Sequence, residues 1–181
     1  MPHKHALTLL ALPLAVCALL SATTPAAAAD HYFGGGVRFF RTLNDVEIDD
    51  LGEIDADGNS IIASYLVDPA GLFKIEFDLE YFDDGYDDLT GEIISPQLLL
   101  LVGGNLYGGA GVGINFISDN SVGDDSSDPF FIGRLGLQLT LVPRIHLDLN
   151  ANYQTDVFDK VFSGASSDAI TLGAIVRLKI R

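Results

Sequence analysis

The chain has 181 residues, 48% of them hydrophobic, yet it carries 25 acidic against 10 basic side chains, a formal net charge of −15. That apolar content excludes an acidic disordered chain, and that charge leaves no basic footprint for nucleic acid. Beyond the N-terminal segment no apolar run approaches the ~20 residues of a transmembrane helix, so apolar and polar positions must interleave.

Residues 1–29 have the make-up of a cleaved secretory signal. Lys4 lies between His3 and His5, an apolar run follows over 6–20, and a small polar stretch ends in alanines at 26–29. Cleavage is expected just before Asp30. The apolar run is short for a membrane anchor and contains Pro13. Cys17 is the one cysteine and follows Val16, not the small residue of a lipoprotein signal. The mature domain, 30–181, is therefore expected to hold no disulfide, thiolate nucleophile or cysteine metal site.

Eight strands are predicted along that domain, at 32–43, 60–67, 72–82, 91–102, 106–117, 130–141, 145–157 and 169–180. The clearest is 72–82. Phe73, Ile75, Phe77, Leu79 and Tyr81 fall on one face, and Lys74, Glu76, Asp78 and Glu80 on the other. A helix would scatter those charges, whereas a strand puts them on one side. The fourth and fifth strands carry a weaker pattern, because 98–101 is apolar on both faces and 106–117 is rich in glycine. In the sixth, Leu135, Leu137, Leu139 and Leu141 alternate with Arg134, Gly136, Gln138 and Thr140. The seventh and eighth alternate in the same way, with His146, Asp148, Asn150 and Asn152, then Thr171, Gly173, Arg177 and Lys179, on the polar faces.

The connections alternate as well. Those at 68–71, 103–105 and 142–144 are tight turns, while 44–59, 83–90, 118–129 and 158–168 are longer and polar. Short turns at one end and long loops at the other are the layout of an outer-membrane barrel. A soluble lipocalin-like barrel would need the faces reversed, with more hydrocarbon inside than eight strands can enclose. Aromatic residues near strand ends, at Tyr32, Phe33, Phe40, Tyr81, Phe82, Tyr107, Phe116, Phe130, Phe131, Tyr153 and Phe158, are read as interfacial girdles. The expected fold is an all-β, eight-stranded antiparallel up-and-down transmembrane barrel.

Two stretches are the most family-like: LYGGAGVGINF at 106–116, a glycine-rich strand, and TLGAIVRL at 171–178, a polar residue, a glycine and spaced hydrophobes. With them the chain resembles the OmpA/OmpX-like outer-membrane β-barrel superfamily. The resemblance implies a monomer in the outer membrane, inserted by the barrel assembly machinery and in contact with lipopolysaccharide. The chain departs from the family in ending at Ile180-Arg181 where an aromatic residue is usual.

The candidate site is a charge network on the inward faces: Arg38, Lys74, Glu76, Asp78, Glu80, Arg134, Asp148, Arg177 and Lys179. Eight strands leave an interior just wide enough for side chains, so these are expected to pair and plug it. Levels measured from the short turns put Glu76 and Asp148 with Arg177, and Glu80 with Arg134. Glycines at 109, 111 and 113 are expected to make room for the arginines. The alternative is a narrow solute or ion pore. Among the acidic loops, Asp55, Asp57 and Asn59 have the opening spacing of a calcium loop, but the twelfth position is Leu66, not glutamate. Weak divalent-cation binding is expected there at most, with no cofactor. A lipid A-modifying enzyme is disfavoured, because His146-Leu147-Asp148 puts aspartate where a nucleophile would stand.

Overall fold

The computed structural model describes residues 29–43, 46–48, 52–54, 57–69, 72–83, 92–117, 126, 129–155 and 168–180. Its strands are β1 (Asp30–Thr42), β2 (Val46–Ile48), β3 (Gly52–Ile54), β4 (Asp57–Asp68), β5 (Phe73–Phe82), β6 (Ile93–Gly103), β7 (Leu106–Gly113), β8 (Phe116–Ile117), β9 (Phe130–Val142), β10 (Ile145–Gln154) and β11 (Ala169–Lys179). No helix occurs among the described residues. Each long strand pairs antiparallel with its sequence neighbours, and β1 closes on β11 from Tyr32↔Lys179 to Thr42↔Ala169. With β7 and β8 counted as one interrupted strand, the result is a closed eight-stranded up-and-down barrel. Closure pairs every long strand of the barrel on both sides.

Parity along the strands decides the two faces. In β5 the charged positions 74, 76, 78 and 80 are buried, while Phe73 and Leu79 are exposed. The same holds around the wall: Leu135, Leu137, Leu139, Leu172, Val176 and Leu178 are exposed and apolar. Most charged and polar side chains of the wall therefore turn inside, among some apolar ones, and hydrocarbon covers the outside, the inverse of a soluble barrel.

The start of β1, the end of β11 and the short turns sit together at one end. Ile180 N donates to His31 O at 2.8 Å, and Lys179 N to Arg144 O at 2.8 Å. The turn after β6 places Gly103 at φ 124°, where a Cβ would meet the Leu106 carbonyl oxygen at 2.5 Å, so only glycine fits. At the other end the small hairpin β2–β3 rises from the connection between β1 and β4. The alternation of Val46 and Ile48 was its signal in the sequence.

The gap between β7 and β8 has a local cause. Both strands lie on β6 in one register, Gln97↔Gly113 and Ile94↔Phe116. Between them Pro96 has no N–H to give. Ile114 N still donates to Pro96 O, at 3.3 Å, but the return bond cannot form.

Several expectations need correction. Five of the proposed girdle aromatics, Tyr32, Phe40, Phe82, Tyr107 and Phe130, share the parity of the lumen residues and are buried inside. Phe33, Phe131 and Tyr153 do face outward, and Phe158 lies outside the described residues. Leu99 and Leu101 point inward, opposite the glycines of β7. A Cβ on Gly109 would strike Leu100 O and Leu101, one on Gly111 Leu98 O and Leu99, and one on Gly113 the Phe130 ring. These glycines thus admit leucines and a phenylalanine, not arginines. Room for arginine comes from Gly34, where a Cβ would meet Arg177 Cγ at 3.1 Å, and from Gly173, where it would meet Arg38 Cγ at 3.1 Å.

Candidate functional site

Eight of the nine candidate residues converge in the lumen, and none of Arg38, Lys74, Glu76, Asp78, Glu80, Arg134, Asp148 and Arg177 is more than 3% exposed. They comprise four carboxylates and four cations, so the buried set is formally neutral. Lys179 stands apart at the mouth of the short-turn end, paired with Asp30 at 2.5 Å.

Three arginines knit the carboxylates across the barrel. From β1, Arg38 donates to Asp78 at 2.7 Å and to Glu80 at 2.8 Å. From the opposite wall, Arg134 on β9 donates to the same Asp78 oxygen at 2.8 Å and lies 2.9 Å from Glu76. Arg177 on β11 donates to Glu76 at 2.6 Å, and its Nε lies 3.5 Å from Asp148. Glu76 and Asp148 thus lie with Arg177. Glu80 belongs to Arg38, not to Arg134, because strand tilt carries Arg134 down to Asp78 and Glu76. Polar neighbours complete the shell. Ser60 donates to Glu80, Ser64 to Glu76 at 2.9 Å, Gln97 to Glu80 at 2.8 Å, and Arg134 Nε to Asn152 at 2.5 Å.

Sequence reasoning missed Tyr107. Its hydroxyl lies 2.8 Å from both oxygens of Asp148, and its ring lies across Gly136, where a Cβ would sit 2.2 Å from Cζ. A bare glycine covered by a neighbouring strand's aromatic ring ties two strands without a side-chain clash. The signal was present, since Tyr107 has inward parity and faces Gly136 in the register. Tyr107→Phe is expected to lower the unfolding free energy in detergent by about 2 kcal/mol, the loss of hydrogen bonds to a charged group. Urea titration of the folded barrel measures it.

Lys74 is held by neutral groups. Its Nζ donates to Gly104 O at 2.8 Å and Gln138 Oε1 at 3.3 Å, and lies 5.4 Å from the Tyr107 ring centre. His146 Nδ1 meets Thr140 Oγ1 at 3.1 Å, and the Tyr32 ring lies edge-on 5.2 Å away. Asp148 is engaged by Tyr107, Asn150 and Arg177. Asp57 and Asn59 lie in extended β4, opposite Arg41 and Phe39, so they do not curl into the loop expected over 44–59. Asp55 falls outside the described residues, as do most acids of the other long connections. No group of three metal-ligating side chains occurs among the described residues.

No family model matches the sequence, and no curated protein matches it. Solved structures do share its fold. Neisserial surface protein A superposes with a TM-score of 0.58 at 15% identity, over 83% of this chain and 97% of that one. Ail, the attachment invasion locus protein of Yersinia pestis, matches at 16% identity and a TM-score of 0.45, over 83% and 99% of the two chains. The outer membrane protein OprG from Pseudomonas aeruginosa matches at 13% identity and 0.43, over 84% and 94%. The first of these carries the comparison, and what it shows is the fold: this chain shares the barrel of Neisserial surface protein A.

Proposed function

We propose that residues 30–181 form a monomeric outer-membrane barrel with a structural or surface-interacting role, exported by the signal at 1–29. The observation that carries this reading is the inverted parity of the wall, apolar side chains outward around the barrel and the buried charged ones of β1, β5, β9, β10 and β11 turned inward. In this orientation the start of β1, the end of β11 and the short turns are periplasmic, and the long acidic connections meet lipopolysaccharide, divalent cations or a partner at the cell surface. Its lumen acts as a plug. The neutral, fully buried ion network and the side chains packed around it support a closed interior over a water path. We assign the chain no catalytic role, because Asp148 is committed to Tyr107 and Arg177 and is no partner for His146. Its insertion relies on the barrel assembly machinery.

Fractionation with a heat-shift gel tests the barrel, and planar bilayers test the plug. The expected results are an outer-membrane band whose mobility changes on boiling, and no steady conductance steps. A soluble periplasmic band without a shift overturns the membrane reading. Stable unitary conductance overturns the plug in favour of a narrow pore. A lipid A mass spectrum altered by expression of the chain would make it an enzyme.

A further inference from the structure

A groove of about 470 Å³ opens on the outer wall, walled by Phe33, Ile145, Val176 and Leu178 and floored by the backbone of Gly34 and Gly35. It follows from the register. Phe33 pairs with Leu178 and Gly35 with Val176, so outward-facing Gly35 leaves a gap behind Phe33, and Ala63 opposite it on β4 is also short.

Barrel packing explains only two of the three consecutive glycines. A Cβ on Gly34 would lie 2.8 Å from Ile175 Cγ2, and one on Gly36 2.1 Å from Ala174 O. A Cβ on Gly35 would meet nothing nearer than Ile62 O at 3.8 Å. A glycine inside a strand weakens it, and one with open space outside marks a place where something else approaches the backbone.

Exposed Arg144 stands in the turn one residue before Ile145 of the groove wall, beside the end of β11. On the same outer face, Tyr65 OH meets His31 Nδ1 at 2.8 Å and the Phe33 ring packs 6.1 Å from that of Tyr65. Phe33, Tyr65, Leu178 and Ile145 share one level of the wall, so an exposed cation stands beside an apolar groove flanked by an amphipathic ring, which matches a phosphate joined to an acyl chain. A guanidinium is well suited to a phosphodiester.

We propose that the groove between β10, β11 and β1 is a site for one glycerophospholipid of the periplasmic leaflet, an acyl chain lying over Gly35 and the phosphate meeting Arg144. This rests on the outer-membrane reading, which puts the short-turn end among phospholipids and the far end among lipopolysaccharide.

Native mass spectrometry of the mature barrel in detergent, with added dioleoyl-phosphatidylglycerol, tests it. A heat-shift gel on each sample checks that the barrel is closed. The unaltered chain is expected to hold one lipid in a saturable step. Gly35→Leu, whose Cβ has open space and whose side chain occupies the groove, is expected to lower its affinity about tenfold, and Arg144→Gln several-fold. Ala151→Leu, elsewhere on the outer wall, should leave it unchanged. Equal binding to the Gly35→Leu variant, a series of equivalent lipids without a one-to-one step, or preferential retention of lipopolysaccharide would each overturn the site. An unaltered chain without heat shift overturns the barrel reading itself, and the lipid site with it.

Discussion

Replacing Arg134 with methionine is expected to lower the unfolding free energy of the barrel by about 3–5 kcal/mol. Arg134 spans the gap between Glu76 and Asp78, two fully buried carboxylates on the same face of β5. Methionine fills similar space but removes the charge that both face from β9. Arg177 remains on Glu76 and Arg38 on Asp78, so the network is weakened rather than emptied. The penalty comes from leaving buried negative charge under-compensated, which costs more than an intact pair is worth over an apolar filling. That asymmetry gives a control. Combining Arg134→Met with Asp78→Asn is expected to recover most of the loss, because the buried set is then neutral again, with Arg38 on Glu80 and Arg177 on Glu76 and Asp148. Urea unfolding in micelles, followed by the folded band on unheated gels, reads both variants. A loss under about 1 kcal/mol for the single variant would mean that the network is solvated and carries little of the stability.

Gly36→Ala is expected to cost about 3 kcal/mol or to block assembly, while Gly35→Ala one position earlier costs under about 0.5 kcal/mol. The added carbon at Gly36 would sit 2.1 Å from Ala174 O and 2.7 Å from Ile175 Cα. Both obstacles are backbone atoms of β11, the strand that closes on β1, so relief requires the closing ladder itself to move. At Gly35 the nearest atom is 3.8 Å away. The yield of heat-modifiable barrel and its urea midpoint separate the two variants. Equal tolerance would show that the β1–β11 seam can spread without cost.

Alternation of Lys74, Glu76, Asp78 and Glu80 with Phe73, Ile75, Phe77 and Leu79 determined the strand period, and its recurrence determined the number of long strands. The lumen set was legible for the same reason. Parity is a local property, and charge marks the inward side wherever the outward side is hydrocarbon. The misplaced aromatics were legible too, since Tyr32 has the parity of Arg38 and Tyr107 that of Gly109. Position near a strand end does not set the face of a residue; parity does. Inward leucines were harder to see, because at 98–101 both faces are apolar and alternation vanishes.

Which arginine meets which carboxylate was decided only by the tertiary structure. Levels counted along isolated strands put Glu80 with Arg134, but closure tilts the strands and staggers their register around the whole ring. A long guanidinium then reaches across the lumen to Asp78 and Glu76. The roles of the glycines were decided in the same way, since what a Cβ would strike belongs to a strand remote in sequence: Ala174 for Gly36, Tyr107 for Gly136, Arg38 for Gly173. By itself the sequence determined the period, the faces and the charge of the filling, which are local. Partner choice and close approach depend on shear and closure, properties of all eight strands at once.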